Sequence, residues 1–245
     1  MKAWMKNCEV EIFPDVETLN EAAASSIVEI AAHALNAKDK FSIALAGGST
    51  PEALYNLLAS EKFKNRLDWS KTLVFFGDER CVAPDAAESN YRMAHDALLA
   101  RVSLPPENVF RLRGEIEPEK SAAEYEAIIK KTLGTGAQFD LILLGMGDDG
   151  HTASLFPNTK ALRETEKLVA ANRVEKLNAN RLTLTFRAVN RAKNVLFLVA
   201  GAKKAEIVEK VFVGENANLP ASLVKPKDGK CVWFLDENAA SLLKE

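Results

Sequence analysis

The segment 143–157, LLGMGDDGHTASLFP, gathers the residues best suited to chemistry. An apolar strand runs into a glycine-rich turn, Gly145-Met146-Gly147-Asp148-Asp149-Gly150, and His151 follows where a helix could begin. The glycine spacing matches the G-x-G-x-x-G dinucleotide fingerprint, in which backbone N–H groups receive a pyrophosphate. Two adjacent carboxylates would repel that pyrophosphate, and the turn lies past mid-chain rather than in the first βα unit. Proton transfer fits better. An imidazole with an ordinary pKa near 6.5 serves as a general base at neutral pH, and Asp149 stands where it could orient or polarise the ring. The bland use of His151 is a helix cap. His33 and His95, the other two histidines, fall inside helical periodicity and suit packing or a polar face.

Three further groups carry chemical potential. Gly47-Gly48-Ser49-Thr50 lies between an apolar run and a helix. Thr50 reads as an N-cap and Pro51 as the first helical residue, so free N–H groups and two hydroxyls could hold a phosphate. It is no Walker loop, because no Gly-Lys-Ser/Thr follows, and a tight capped turn is the alternative. Asp78-Glu79-Arg80 reads as a charged loop at a strand's end, with Arg80 able to hold a carbonyl or carboxylate oxygen and Asp78 able to orient another group. Arg181 opens the alternating run RLTLTF, and Lys203 follows Gly201 at a helix start as a candidate phosphate contact. Lys204 reads as surface charge. Ser154, three residues after His151, raises acyl-enzyme chemistry, but no G-x-S-x-G elbow surrounds it. No second His or Cys stands at ligand spacing from His151, so neither a metal nor a cofactor is expected.

These residues need elements to position them. The pattern predicts helices over 16–35, 51–59, 90–100, 118–133 and 202–212. It predicts strands over 41–46, 72–76, 109–112, 139–144, 181–186, 194–200 and 230–235, with Asp236 capping a terminal helix. The region 160–180 is mixed. Continuous apolar strands separated by helices indicate an α/β fold, one domain over 1–245 with a mostly parallel central sheet and helices on both faces. Ligands of such sheets bind beyond the carboxyl ends of the strands. The loops after 41–46, 72–76 and 139–144 would then share one edge.

Composition narrows the function class. Of 245 residues, 47% are hydrophobic and 27% charged, and the net charge of −2 gives no general attraction to nucleic acid or anionic membrane. Any anion site must be local. No apolar run approaches a membrane span, and the first residues lack a signal peptide's apolar core. Cys8, Cys81 and Cys231 form no C-x-x-C pair, which suits a reducing compartment and hence the cytoplasm. Oligomeric state is not legible.

LAGGSTP at 45–51, FFGDERCVAPDAAESNYRMA at 75–94 and LLGMGDDGHTASLFP at 143–157 together resemble the bacterial-type 6-phosphogluconolactonases. RLTLTF at 181–186, Gly201-Ala202-Lys203 and the late Trp233-Phe234-Leu235-Asp236 also match, in the right order over most of the chain. The D-G-H-T-x-S-L-F-P signature is specific, whereas GGSTP is shared among sugar-phosphate families. The resemblance implies a Rossmann-like domain and hydrolysis of 6-phospho-D-glucono-1,5-lactone to 6-phosphogluconate. It implies His151 as base, Arg80 in the site, and Gly47, Gly48, Ser49, Thr50, Arg181 and Lys203 around the phosphate. Two rivals remain. A glucosamine-6-phosphate deaminase would carry an acidic residue where this chain has Phe156, and D-E-Y in place of Asp78-Glu79-Arg80. A non-catalytic sugar-phosphate sensor would usually carry a basic recognition helix.

Overall fold

The computed structural model describes residues 8–134, 136–213 and 219–243. In chain order its elements are β1 (Glu9–Phe13), α1 (Val16–Ala37), β2 (Phe41–Leu45), α2 (Ser49–Leu58), β3 (Thr72–Phe76), β4 (Asp78–Arg80), α3 (Asn90–Ala97) and α4 (Pro118–Leu133). They continue with β5 (Leu141–Leu144), β6 (Val169–Val174), β7 (Ala179–Leu184), α5 (Phe186–Val189), β8 (Asn194–Val199), α6 (Ala205–Phe212), β9 (Lys230–Asp236) and α7 (Glu237–Ala240).

Six strands form a sheet in the order β1-β9-β8-β5-β2-β3, and every pairing in it is parallel. All residues of β2, β3 and β5 are buried, so both faces of the central sheet are covered. That burial explains why these strands are unbroken apolar runs. Helix α1 buries Leu19, Ala23, Ala24, Ile27, Ala31 and Ala34, a stripe at helical spacing. Its start is fixed by a capping box between Asp15 and Thr18. Among the described residues no helix is long and apolar enough to cross a membrane.

The sheet order reverses between β2 and β5. From β2 the chain moves outward to β3, while β5 leads toward β8 and β9 on the other side. A crevice opens at such a switch point, at the strands' carboxyl ends. Two buried tyrosines secure this edge. The Tyr55 hydroxyl accepts from Ala46 N at 2.9 Å and donates to Ala46 O at 2.8 Å. The Tyr125 hydroxyl accepts from Phe76 N at 2.7 Å and donates to Phe76 O at 3.2 Å. Each satisfies backbone groups where a strand runs out of ladder partners. Tyr55→Phe is expected to cost about 1–3 kcal/mol in denaturant unfolding, since buried backbone groups lose their partner. An unchanged unfolding midpoint would remove Tyr55 from this role.

A second sheet, β4-β7-β6, is antiparallel and stands at the same edge. Its existence corrects three expectations. Asp78-Glu79-Arg80 is a short strand rather than a loop, because β7 supplies its partners. The mixed region 160–180 contains strand β6 and two 3₁₀ turns. The run RLTLTF alternates in residue type but not in burial, since Leu182, Thr183 and Leu184 are all buried. The 109–112 strand reduces to a single bridge from Val109 to Val74. Strand β1 was not foreseen, although EVEIF alternates as an edge strand does.

Candidate functional site

Loops after β2, β5 and β8 and the strands β4 and β7 enclose a cleft of about 630 Å³. Its walls include Gly47–Thr50, Asp78, Arg80, Asp148, Asp149, His151, Lys176, Arg181 and Lys204. Residues far apart in sequence meet here because parallel strands deliver all their following loops to one edge.

His151 is the chemical centre of this cleft. Its Nδ1 lies 2.5 Å from Asp149 Oδ1, and its backbone N donates to the same oxygen at 3.1 Å. An ionised carboxylate only accepts, so this contact places the ring proton on Nδ1 and leaves Nε2 as the acceptor. The imidazole stacks on Phe156, with centroids 4.0 Å apart and planes at 24°. Burial pulls its pKa down to about 4. Asp78 and Asp148 oppose the shift, while Lys204 and Arg181 add to it. The ring is therefore neutral at neutral pH and able to take a proton.

The turn before it is built around this ring. Gly147 N donates to His151 O at 2.9 Å, and Gly150 N donates to Gly147 O at 3.0 Å. Gly150 adopts φ +76°, the left-handed region that favours glycine. A Cβ on Gly147 would lie 1.9 Å from His151 Cε1. Gly147→Ala must therefore displace the imidazole. A shift of roughly 1 Å in such a group costs on the order of 10²-fold in rate. We expect that loss in kcat with little change in thermal stability. A variant with wild-type kcat would show that the ring position is not critical.

Two arginines form the opposite wall. Arg80 on β4 and Arg181 on β7 are directly paired in register. Like charges directly opposed across strands destabilise the pair. Arg80 Nη1 donates to Glu88 O, and Arg181 Nη1 donates to Asn180 O at 3.2 Å. Among the described residues neither guanidinium has a carboxylate in salt-bridge contact. Burial, then the Arg80 charge, lowers the pKa of Arg181. Two adjoining guanidiniums without counter-ions favour an incoming anion. Helix α2 begins at Ser49, and its first residues, Ser49, Thr50 and Pro51, line the same cleft.

The three-residue signature divides its labour. Buried Glu79 accepts from the backbone N of Arg80, Asn90 and Tyr91, each at 2.8 Å, and from Ser89 Oγ at 3.1 Å. It thereby holds the start of α3. Asp78 accepts from Ser154 Oγ at 2.7 Å and from Asn90 Nδ2 at 3.2 Å, tying β4 to the segment after His151. Asn90 also fills the space beside Gly47, where a Cβ would lie 2.0 Å from its Oδ1.

The sequence-based site residues fall as follows. Gly47, Gly48, Ser49, Thr50, Asp78, Arg80, Asp149, His151 and Arg181 all line the one cleft. Lys203 is exposed and does not line it, whereas Lys204 does and pairs with Asp148 at 2.5 Å. The 3₁₀ turn Ala202–Lys204 rotates the second lysine, not the first, toward the cleft. Thr50 is no N-cap. Gly48 holds that position at φ +105°, and the helix starts one residue before Thr50. No helix begins at His151, where 152–155 forms a bridged turn instead. Ser154 gives its proton to Asp78, which removes the Ser-His arrangement. Lys176 went unnoticed because its 3₁₀ turn lay in the region of mixed pattern. Among the described residues no three His, Cys, Asp or Glu side chains gather as a metal-ligand group.

The family model for glucosamine-6-phosphate isomerases and 6-phosphogluconolactonase matches residues 14–233. A 6-phosphogluconolactonase from Nostoc sp. is 39% identical over 241 residues, covering 96% of this chain and 98% of the relative. One from Synechocystis sp. is 38% identical over 243 residues, covering 96% and 98%. The solved structure of 6-phosphogluconolactonase from Trypanosoma cruzi superposes with a TM-score of 0.85 at 31% identity, covering 98% of each chain.

Proposed function

Because the chain belongs to the family of glucosamine-6-phosphate isomerases and 6-phosphogluconolactonases, we propose that it hydrolyses 6-phospho-D-glucono-1,5-lactone to 6-phospho-D-gluconate in the oxidative pentose phosphate pathway. One observation carries the reading: an Asp149-bound imidazole shares a cleft with two guanidiniums that, among the described residues, have no carboxylate in salt-bridge contact. That combination suits a phosphorylated substrate with an electrophilic centre that water attacks.

A lactone is an activated ester, so no covalent intermediate is needed. His151 Nε2 takes a proton from the water that attacks C1, and Asp149 at Nδ1 stabilises the imidazolium that forms. The carbonyl oxygen gains negative charge as the tetrahedral species forms. In the 145–151 turn the N–H groups of Gly147, Gly150 and His151 are already committed within the turn. The oxyanion role then falls to Arg80 and to the turn's other N–H groups, those of Met146, Asp148 and Asp149. The tetrahedral species collapses by breaking the bond to the ring oxygen, and His151 returns the proton there. The phosphate lies at Gly47–Thr50 and Arg181, with Lys204 in the place that the sequence assigned to Lys203. Holding the phosphate fixes C1 against the water.

Phe156 weighs against the isomerase alternative. Its ring covers the face of His151 where a ring-opening enzyme would want a carboxylate. The reading takes the chain as one domain, supported by a main core cluster that runs from Leu19 to Ala240 beside a small one of Leu155, Ala161 and Ala170. It keeps the cytoplasm as the compartment, consistent with three free cysteines. The deciding experiment measures lactone hydrolysis above the spontaneous background, with ammonia release from glucosamine 6-phosphate in parallel. Lactone turnover without ammonia supports the proposal. Ammonia release, or sugar-phosphate binding with neither turnover, overturns it.

A further inference from the structure

Lys176 stands outside every role assigned so far, yet it touches both supports of the imidazole. It sits on the 3₁₀ turn Glu175–Leu177 between β6 and β7, closed by Asn178 at φ +46°. The Arg173 guanidinium bonds the Asn178 side chain across the base of this turn. The lysine is thus presented by a short, braced hairpin. Its Nζ contacts Asp149 Oδ2, while Oδ1 of the same carboxylate holds His151 Nδ1 at 2.5 Å. Its Nζ also lies 4.9 Å from the centre of the Phe156 ring, whose face stacks on His151 at 4.0 Å.

We propose that Lys176 is a positioning residue: its ammonium pins the Asp149 carboxylate between itself and His151, and so sets the orientation and proton affinity of the imidazole. The proposal rests on the reading of His151 as the base. The simpler view is a half-exposed surface ion pair, worth about 0–1 kcal/mol. That view ignores where the pair is placed, since the lysine's carboxylate partner is also the imidazole's only side-chain hydrogen-bond partner among the described residues. The physical logic has two parts. A carboxylate held at both oxygens cannot rotate away from Nδ1, which keeps Nε2 directed for catalysis. Sharing Asp149 with an ammonium also leaves less negative charge to stabilise an imidazolium, so His151 gives up its proton more readily.

The other charged groups around His151 are Asp78 on β4, Asp148 and Asp149 on its own turn, Arg181 on β7, and Lys204 after β8. Substituting Lys176 deletes none of these charges, and Asp149 Oδ1 keeps its bonds from the Nδ1 and backbone N of His151. It removes one cation, so the imidazole should hold its proton more tightly.

Lys176→Met keeps the apolar stem and deletes the charge. The unligated full chain is followed by NMR through titration of the His151 ring, with His33 and His95 as internal references. The expected result is an upward shift of the His151 midpoint by about one pH unit, with His33 and His95 unmoved. The acid limb of kcat/KM for the phosphorylated lactone should rise with it, and Lys176→Arg should restore both. A His151 midpoint and acid limb unmoved by Lys176→Met would overturn the proposal. So would equal shifts at all three histidines. The NMR titration needs no turnover, so it decides the role of Lys176 even if the lactone reading fails. Loss of that reading would show separately, as no lactone hydrolysis by the unaltered protein.

Discussion

His151→Ala is expected to lower kcat by about 10²–10⁴, the usual contribution of a positioned general base. The fold should survive, because the side chain is partly exposed and its removal breaks only the Asp149 bond and the stacking on Phe156. Binding of the phosphorylated ligand should survive too, since the anion is held by other residues. The pH dependence gives a second check. Burial lowers the imidazole to about 4, so the base is unprotonated through most of the acid range. As pH falls through that value the ring gains its proton and can no longer act as base. The acid limb of kcat/KM should therefore lie well below the ordinary imidazole value of about 6.5, and the His151→Ala residual activity should lack it. A variant within a few-fold of the unaltered enzyme would remove His151 from the base role.

Unphosphorylated glucono-1,5-lactone is expected to be a poor substrate, by roughly 10³-fold or more in kcat/KM. Hydrogen bonds to charged groups contribute about 1.5–3 kcal/mol each, and each 1.4 kcal/mol is tenfold. Two or three such bonds from Arg181, Lys204 and the start of α2 are enough. Part of that remote binding energy also orients C1, so the discrimination should appear in kcat as well as KM. Arg181→Ala and Lys204→Ala should each narrow the gap by harming only the phosphorylated substrate. Lys203→Ala should leave it unchanged, because that side chain does not line the cleft. Similar kcat/KM for the two lactones would return Gly47–Thr50 to a plain helix start.

Much of this was legible where one physical rule dominated. Strand β3 and helix α4 match their expected bounds because a continuous apolar run and a Pro-initiated amphipathic helix each admit one structure. The meeting of the segments that follow β2, β3 and β5 is set by the parallel topology. Lys204 lines the cleft and Lys203 does not, for a local reason. Lys203 and Lys204 are adjacent, and only the rotation of a 3₁₀ turn decides which one faces the cleft. The Thr50 cap failed because Gly48, at φ +105°, lets the helix start earlier than a hydroxyl cap would. Strand β4 and the link between Asp149 and Lys176 depend on pairing with residues about a hundred or about thirty positions away, which no local pattern encodes.

The first strand of the sheet pairs with the last. β1 lies at the sheet edge against β9, with Glu9 opposite Val232. During synthesis at about 5–20 residues per second, β1 must wait until nearly the whole chain has emerged before its partner exists. β2, β3 and β5 are contiguous in the finished sheet and are all made before β9, and the ends that deliver His151 and Gly47 belong to them. The cleft is not complete with them, because Arg181 on β7 and Lys204 after β8 come later in the chain. The border strand made first thus receives its partner only after every residue of the cleft has been made.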